Sequence, residues 1–275
     1  MTLDLWTPRF DEDRLHPNFR TILTHGSPEA RQGITSWSID FPDRDGKLID
    51  EFQLSFDSSF WELYLNAVFS ELGYARRFEH ASPDFELVNA SVTTIAEAAI
   101  ASNAGGYRPE WDKQGIIRAP EIDVRQAIRY TASRLSNAIV GKSRKYLDSY
   151  GAMPHVKGRP FIICVAPFDF PFSFDWSQAA LRQVVFAIDE PMVERRADGA
   201  KLIIGLSETQ ALTKDTGVDI PIGLFRDGRM PHVSAVLFSS VATFSKARAL
   251  SNGAEQWSWF RAERYNAYGT EASIQ

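Results

Sequence analysis

The run Phe161-Ile162-Ile163-Cys164-Val165-Ala166 constrains this chain more than any other stretch. It offers no polar face, so a strand built from it must be covered on both sides, as central strands of helix-flanked sheets are. Such a sheet implies an α/β arrangement. The neighbouring sequence supplies helices to cover it. Val124, Ile128, Leu135, Ile139 and Tyr146 form one stripe at helical spacing over 121–150, and Gly151 and Pro154 end it. Trp61, Leu65, Val68, Phe69 and Leu72 form another from Phe60 to Tyr74. Asp57, Ser58 or Ser59 can cap its start and Gly73 suits its end. Between the two helices, 75–80, 84–89 and 92–101 read as short strands, with a turn at Asn89-Ala90-Ser91.

Residues 1–50 are polar and broken by Pro8, Pro17, Pro28 and Pro42, which predicts short helices over 10–24 and 28–37. Asp43-Arg44-Asp45-Gly46 reads as an Asp-Gly turn. The stretch 103–120 carries Gly105-Gly106, Pro109 and Pro120 and reads as a loop or partly ordered lid. Beyond 168 the pattern predicts a helix at 177–188 and a strand at 201–206. It also predicts a hairpin around Asp227-Gly228 with Val233–Phe238 as its second arm. A chain of 275 residues fits one domain and permits two. The division expected is an N-terminal extension at 1–50, a core at 51–168, and a C-terminal extension at 169–275 packed on that core.

Composition narrows the functional classes. The single cysteine, Cys164, lies inside the apolar run, so it reads as a buried core thiol and no internal disulfide is expected. The opening Met-Thr-Leu-Asp-Leu-Trp has no basic or long apolar segment, so no secretory signal is expected. No run of 18 apolar residues predicts a membrane span, and the expected location is cytoplasmic. The net charge of −5 argues against loose binding to nucleic acid. Yet 121–160 holds eight Lys and Arg against three acids, which makes a local basic face. The five histidines are scattered without metal-ligand spacing, and His80 reads as a surface or capping residue. No Gly-x-Ser-x-Gly elbow or phosphate-binding Gly-Lys-Ser/Thr loop is present.

Three acids follow one another across these elements: Glu62 in Phe60-Trp61-Glu62-Leu63-Tyr64-Leu65, Asp84 in Pro83-Asp84, and Glu97 in Ile95-Ala96-Glu97-Ala98-Ala99. Glu97 interrupts an apolar and small run, where a bare carboxylate is costly. This set, in the order helix, strand, strand, strand, helix, strand over 59–168, resembles the PD-(D/E)XK nuclease superfamily, in a bacterial branch. The resemblance implies a restriction-endonuclease-like core and a metal-dependent nuclease, or a relative of one, acting on DNA or RNA phosphodiesters. It implies Asp84 and Glu97 as ligands of Mg²⁺ or Mn²⁺ and Glu62 as a third acid. Glu86, two residues past Asp84 on the same strand face, is an alternative ligand.

The departure from the pattern is Ala99, which stands where the family has its lysine. That absence supports a rival reading, a catalytically inactive module of the same fold that binds nucleic acid or a protein partner. A third reading is an interaction protein anchored by Trp257 and Trp259. Lys142 offers a substitute for the missing lysine. At about 100° per residue it falls within the stripe of Leu135, Ile139 and Tyr146. An ammonium there needs a partner, and the strand carboxylates are candidates; the other outcome is that its stem bends out to water. Arg134 and Lys145 are expected to contact the nucleic-acid backbone.

Overall fold

Strand β4, Phe161–Phe168, lies inside a five-stranded mixed sheet of order β1-β2-β3-β4-β9. The computed structural model describes residues 3–26, 28–90, 92–113, 123–195, 197, 201–209, 211–214, 216–251, 263–264 and 273–274. Strands β1 (Ala75–Arg77), β2 (Phe85–Asn89) and β3 (Val92–Ser102) form an antiparallel meander. β4 then runs parallel to β3, from Ile95↔Phe161 to Ser102↔Phe168. The observed order over 57–168 is α4 (Asp57–Glu71), β1, β2, β3, α5 (Val124–Asp148), β4. Ahead of it lie α1 (Pro17–Thr24), α2 (Pro28–Trp37) and α3 (Leu48–Leu54). After it come α6 (Ser177–Phe186), a ribbon of β5 (Ile188–Arg195) and β6 (Lys201–Glu208), the short pair β7 (Leu212–Thr213) and β8 (Asp219–Ile220), then β9 (Ala235–Phe238) and α7 (Phe244–Ser251). Among the described residues no helix is long and apolar enough to cross a membrane.

The two-residue period of a strand divides the core. Phe161, Ile163 and Val165 join Ile95, Ala99 and Ala101 against Leu135 and Ile139 of α5 and Ala180 and Val184 of α6. On the other face Cys164, Ala166 and Phe168 join Ala96 and Ala98 against α4. α4 is buried nearly all round, through Phe60, Trp61, Leu63, Tyr64, Leu65 and Phe69, because α2 and α3 cover its far side. Trp61 Nε1 donates to the Cys164 carbonyl at 3.0 Å and ties α4 to the central strand.

Several expectations are corrected. No side chain caps α4; the Asp57 carboxylate instead accepts from Asn18 Nδ2. α5 starts at Val124 because Asp123 accepts from the amides of Arg125 and Gln126, and Val124 itself is exposed. β1 stops at Arg77. Asp227 and Gly228 do take positive φ, 55° and 66°, as a tight turn requires. No hairpin follows, since β9 pairs in parallel with the free edge of β4 instead. A local turn signal cannot reveal that longer-range partner. The C-terminal stretch therefore adds a strand to the central sheet, and α7 packs on α2. Of the expected loop at 103–120, residues 114–120 lie outside the described residues, as do Trp257 and Trp259.

Candidate functional site: a cleft at the open edge of β3

β2 stays with β3 only from Asn89↔Val92 to Phe85↔Ala96, while β3 continues to Ser102. From Glu97 to Ser102, β3 therefore has β4 on one side and an open edge on the other. Ile95 donates toward the β4 side, to the Pro160 carbonyl. By alternation the backbone groups of Ala98 and Ile100 face the open edge. A cavity of about 390 Å³ lies there between α4 and α5. Glu62 lines it from α4, Asp84 from the turn just ahead of β2, Glu97 from β3, and Asn137, Lys142 and Lys145 from α5.

Glu97 is the centre of the site and is 1 % exposed. Its Oε1 accepts from Lys142 Nζ at 2.7 Å, from the Tyr150 hydroxyl at 3.1 Å and from Lys145 Nζ at 3.3 Å. Its Oε2 accepts from the Asp84 amide at 3.3 Å. Burial pushes the carboxyl pKa up, but the Lys142 ammonium and its hydrogen bond, with Lys145 and Tyr150, outweigh that, so it lies below the usual value. Lys142 therefore reaches inward from α5, at the position the apolar stripe marks. Lys145 sits on the flank, half exposed, with its ammonium 4.8 Å from the centre of the Tyr150 ring.

Asp84 Oδ2 accepts from the Ala98 amide at 2.7 Å, which caps the open edge of β3. Arg44 Nη2 stands 4.0 Å from its other oxygen. Burial and the nearby Glu97 charge push Asp84 up to about 6, against the pull of Lys142. Burial and the Asp84 charge push Glu62 up to about 8. Glu62 keeps its proton at neutral pH, Asp84 gives its own up just below neutrality, and Glu97 is ionised and paired; together they form a site rich in hard oxygen donors.

The remaining expected residues are placed differently. Arg134 donates to the carbonyls of Ser102 and Asn103, at 2.6 and 3.5 Å, and so closes the end of β3. Glu86 does not line the cleft; its carboxylate pairs with His80 and Arg159. The three carboxylates of Glu62, Asp84 and Glu97 do not all come within 4.8 Å of one another. Among the described residues, the group of three that does so and could hold a metal is His80, Glu86 and His155. His80 is exposed, as expected of a surface residue, and in addition meets Glu86 and His155. Its partners stand six and 75 residues away, too far apart for any spacing rule to join them. Tyr150 and Arg44 were also invisible to the sequence reading. Tyr150 follows the end of α5 in a short 3₁₀ turn, Tyr150–Ala152, where the chain direction is not set by helical periodicity. Arg44 lies in the predicted turn and carries no pattern of its own. No family model, curated protein or solved structure matches this chain.

Proposed function

We propose that the cleft is the active site of a divalent-metal-dependent phosphodiesterase of the PD-(D/E)XK kind, acting on DNA or RNA, with Lys142 from α5 standing in for the lysine missing at Ala99. The observation that carries this reading is the 2.7 Å contact between Lys142 and the buried Glu97, beside Asp84 and Glu62 at an open strand edge. The element order from α4 to β4 supports a restriction-endonuclease-like core.

The residues present fit a hard cation. Mg²⁺ and Mn²⁺ take oxygen ligands, and burial with the neighbouring negative charge makes ionised Asp84 and Glu62 costly, a cost that the counter-charge of such an ion would offset. Asp84 and Glu97 would hold it, with Glu62 as the third acid once a carboxylate swings inward. When bound, the ion offsets charge on the phosphate and acidifies an attacking water. The chain's own groups do the rest. Lys142 keeps an ammonium at the cleft wall, where it can hold a phosphate oxygen or the attacking water. Lys145, half exposed on the rim, meets the backbone of the substrate.

Incubation of the protein with single- and double-stranded DNA and RNA, with Mg²⁺ or Mn²⁺, tests this reading. Cleavage that requires the metal and disappears in Asp84→Ala is the expected result. The second reading, a non-catalytic module, rests on one observation: Glu97 Oε1 already accepts three donors. A locked network of that kind predicts binding without turnover on every substrate.

A further inference from the structure

The same face of the sheet, one strand further out on β2, carries a second cluster that the cleft chemistry does not use. Glu86 points away from Phe85 and Leu87 and is buried. Its Oε2 accepts from Arg159 Nη1 at 2.8 Å, and its Oε1 meets His80 Nδ1 at 2.5 Å. The ring of His155 lies flat on that of His80, with centroids 3.7 Å apart and planes 1° from parallel. His155 Nε2 is 2.8 Å from the Ser82 carbonyl oxygen. A carbonyl only accepts, so His155 keeps its proton on Nε2 and leaves Nδ1 as a lone pair.

We propose that His80, Glu86 and His155 bind one transition-metal ion of the Zn²⁺ class, at a site separate from the Asp84–Glu97 cleft. One ligand atom from each lies within 4.8 Å of the others. Two imidazoles and one carboxylate suit Zn²⁺ and leave a fourth position for water, whereas Mg²⁺ prefers oxygen alone. The outer contacts are those that orient ligands in such sites: the second ring nitrogen donates to a carbonyl, and the far carboxylate oxygen is held by a cation. The parallel stack must open on binding, because in-plane lone pairs of parallel rings cannot meet at one ion. His80 is the ring placed to turn, about its contact with Glu86, since its side chain is 43 % exposed, while His155 stays tied to Ser82.

The site has a structural consequence for the cleft. His155 holds Ser82, two residues before Asp84. Arg44 donates to the His80 carbonyl at 2.9 Å and approaches Asp84 as well. An ion joining His80 to His155 would therefore fix the turn that delivers Asp84. The binding itself does not depend on whether the cleft hydrolyses anything.

Tag-free protein titrated with Co²⁺, followed by its visible absorption and then displaced by Zn²⁺, tests the site without any turnover. The expected result is one tightly held ion per chain with the absorption of nitrogen-ligated Co²⁺, distinct from any weaker uptake by the cleft carboxylates. Affinity should fall at least about 100-fold in His80→Ala and in His155→Ala. Arg159→Ala should lower it about 10- to 100-fold, the usual effect of removing an outer partner. Asp84→Asn should leave it unchanged. His80 is exposed, so His80→Ala should fold and decides the matter even if His155→Ala does not, with far-ultraviolet circular dichroism as the check. No uptake at millimolar Co²⁺ or Zn²⁺ would overturn the proposal. So would uptake indifferent to His80→Ala, or uptake lost in Asp84→Asn, which would move the ion to the cleft.

Discussion

At the scale of single residues, Glu97 depends on its donors more than they depend on it. Lys142 and Lys145 are partly exposed and can turn to water, whereas the carboxylate is sealed in. Tyr150 is buried and its hydroxyl donates to that carboxylate; burial and the Glu97 charge both raise its pKa. Tyr150→Phe removes a hydrogen bond to a charged group, so it should cost about 1.5–3 kcal/mol of unfolding free energy in urea. The Glu97 pKa should rise in the same variant. Lys145→Ala should cost less stability than Tyr150→Phe, because its ammonium is half exposed and its contact with Glu97 is the longest of the three, and should weaken nucleic-acid binding alike on all sequences, with a shallower dependence on salt. The inward reach of Lys142 was legible because helical geometry places it among Leu135, Ile139 and Tyr146. The role of Tyr150 was not, because it depends on how the chain turns after Asp148.

At the scale of elements, the cleft exists because β2 is shorter than β3. The acids around the resulting edge set the response to pH. Asp84 and Glu62 have folded-state pKa values of about 6 and about 8. Asp57 is pushed to about 7, mainly by burial, against the Asn18 hydrogen bond. All three lie above their ordinary values, so the folded state binds protons more tightly than the unfolded state does. Their contribution is full below about pH 4 and is lost as pH rises to about 8. The metal-free Tm should therefore fall across that window. Millimolar Mg²⁺ should flatten the part of the fall due to Asp84 and Glu62, and its affinity should rise with pH as those two groups lose protons. Asp84→Asn with Glu62→Gln should remove both effects in scanning calorimetry. A metal-free Tm that climbs from pH 5 to 8 would contradict this assignment. The strands and helices around the cleft were legible from short apolar runs and 3.6-residue periods. The covered state of α4 was only half legible, because its second packing surface comes from α2 and α3, remote in sequence.

At the scale of the whole molecule, the stretches on either side of 51–168 complete the packing. α7 lies so close to α2 that a Cβ on Gly33 would fall 2.2 Å from the Ala247 carbonyl oxygen. Gly33→Ala should push the two helices apart and cost about 1–3 kcal/mol, measured by urea denaturation. Any smaller effect would mean that α7 yields easily. Deleting 235–251 removes the fifth strand and α7 together, uncovering the β4 edge; the product should be aggregated or unfolded by circular dichroism. The parallel pairing of β4 with β9 was illegible because nothing local distinguishes it from a hairpin arm. The covered central strand was legible because its sequence permits no solvent face.

These scales meet in Lys142, which is local in its helical position and long-range in its contact with β3. The most direct measurement is the single-turnover rate of nucleic-acid cleavage in saturating Mn²⁺, compared between the wild-type chain and Lys142→Ala. A wild-type rate that depends on metal, and a fall of about 10²–10⁴-fold in the variant with its fold retained, is the result this account predicts. Equal rates in the two proteins, or no metal-dependent cleavage of any DNA or RNA by the wild type, would contradict it.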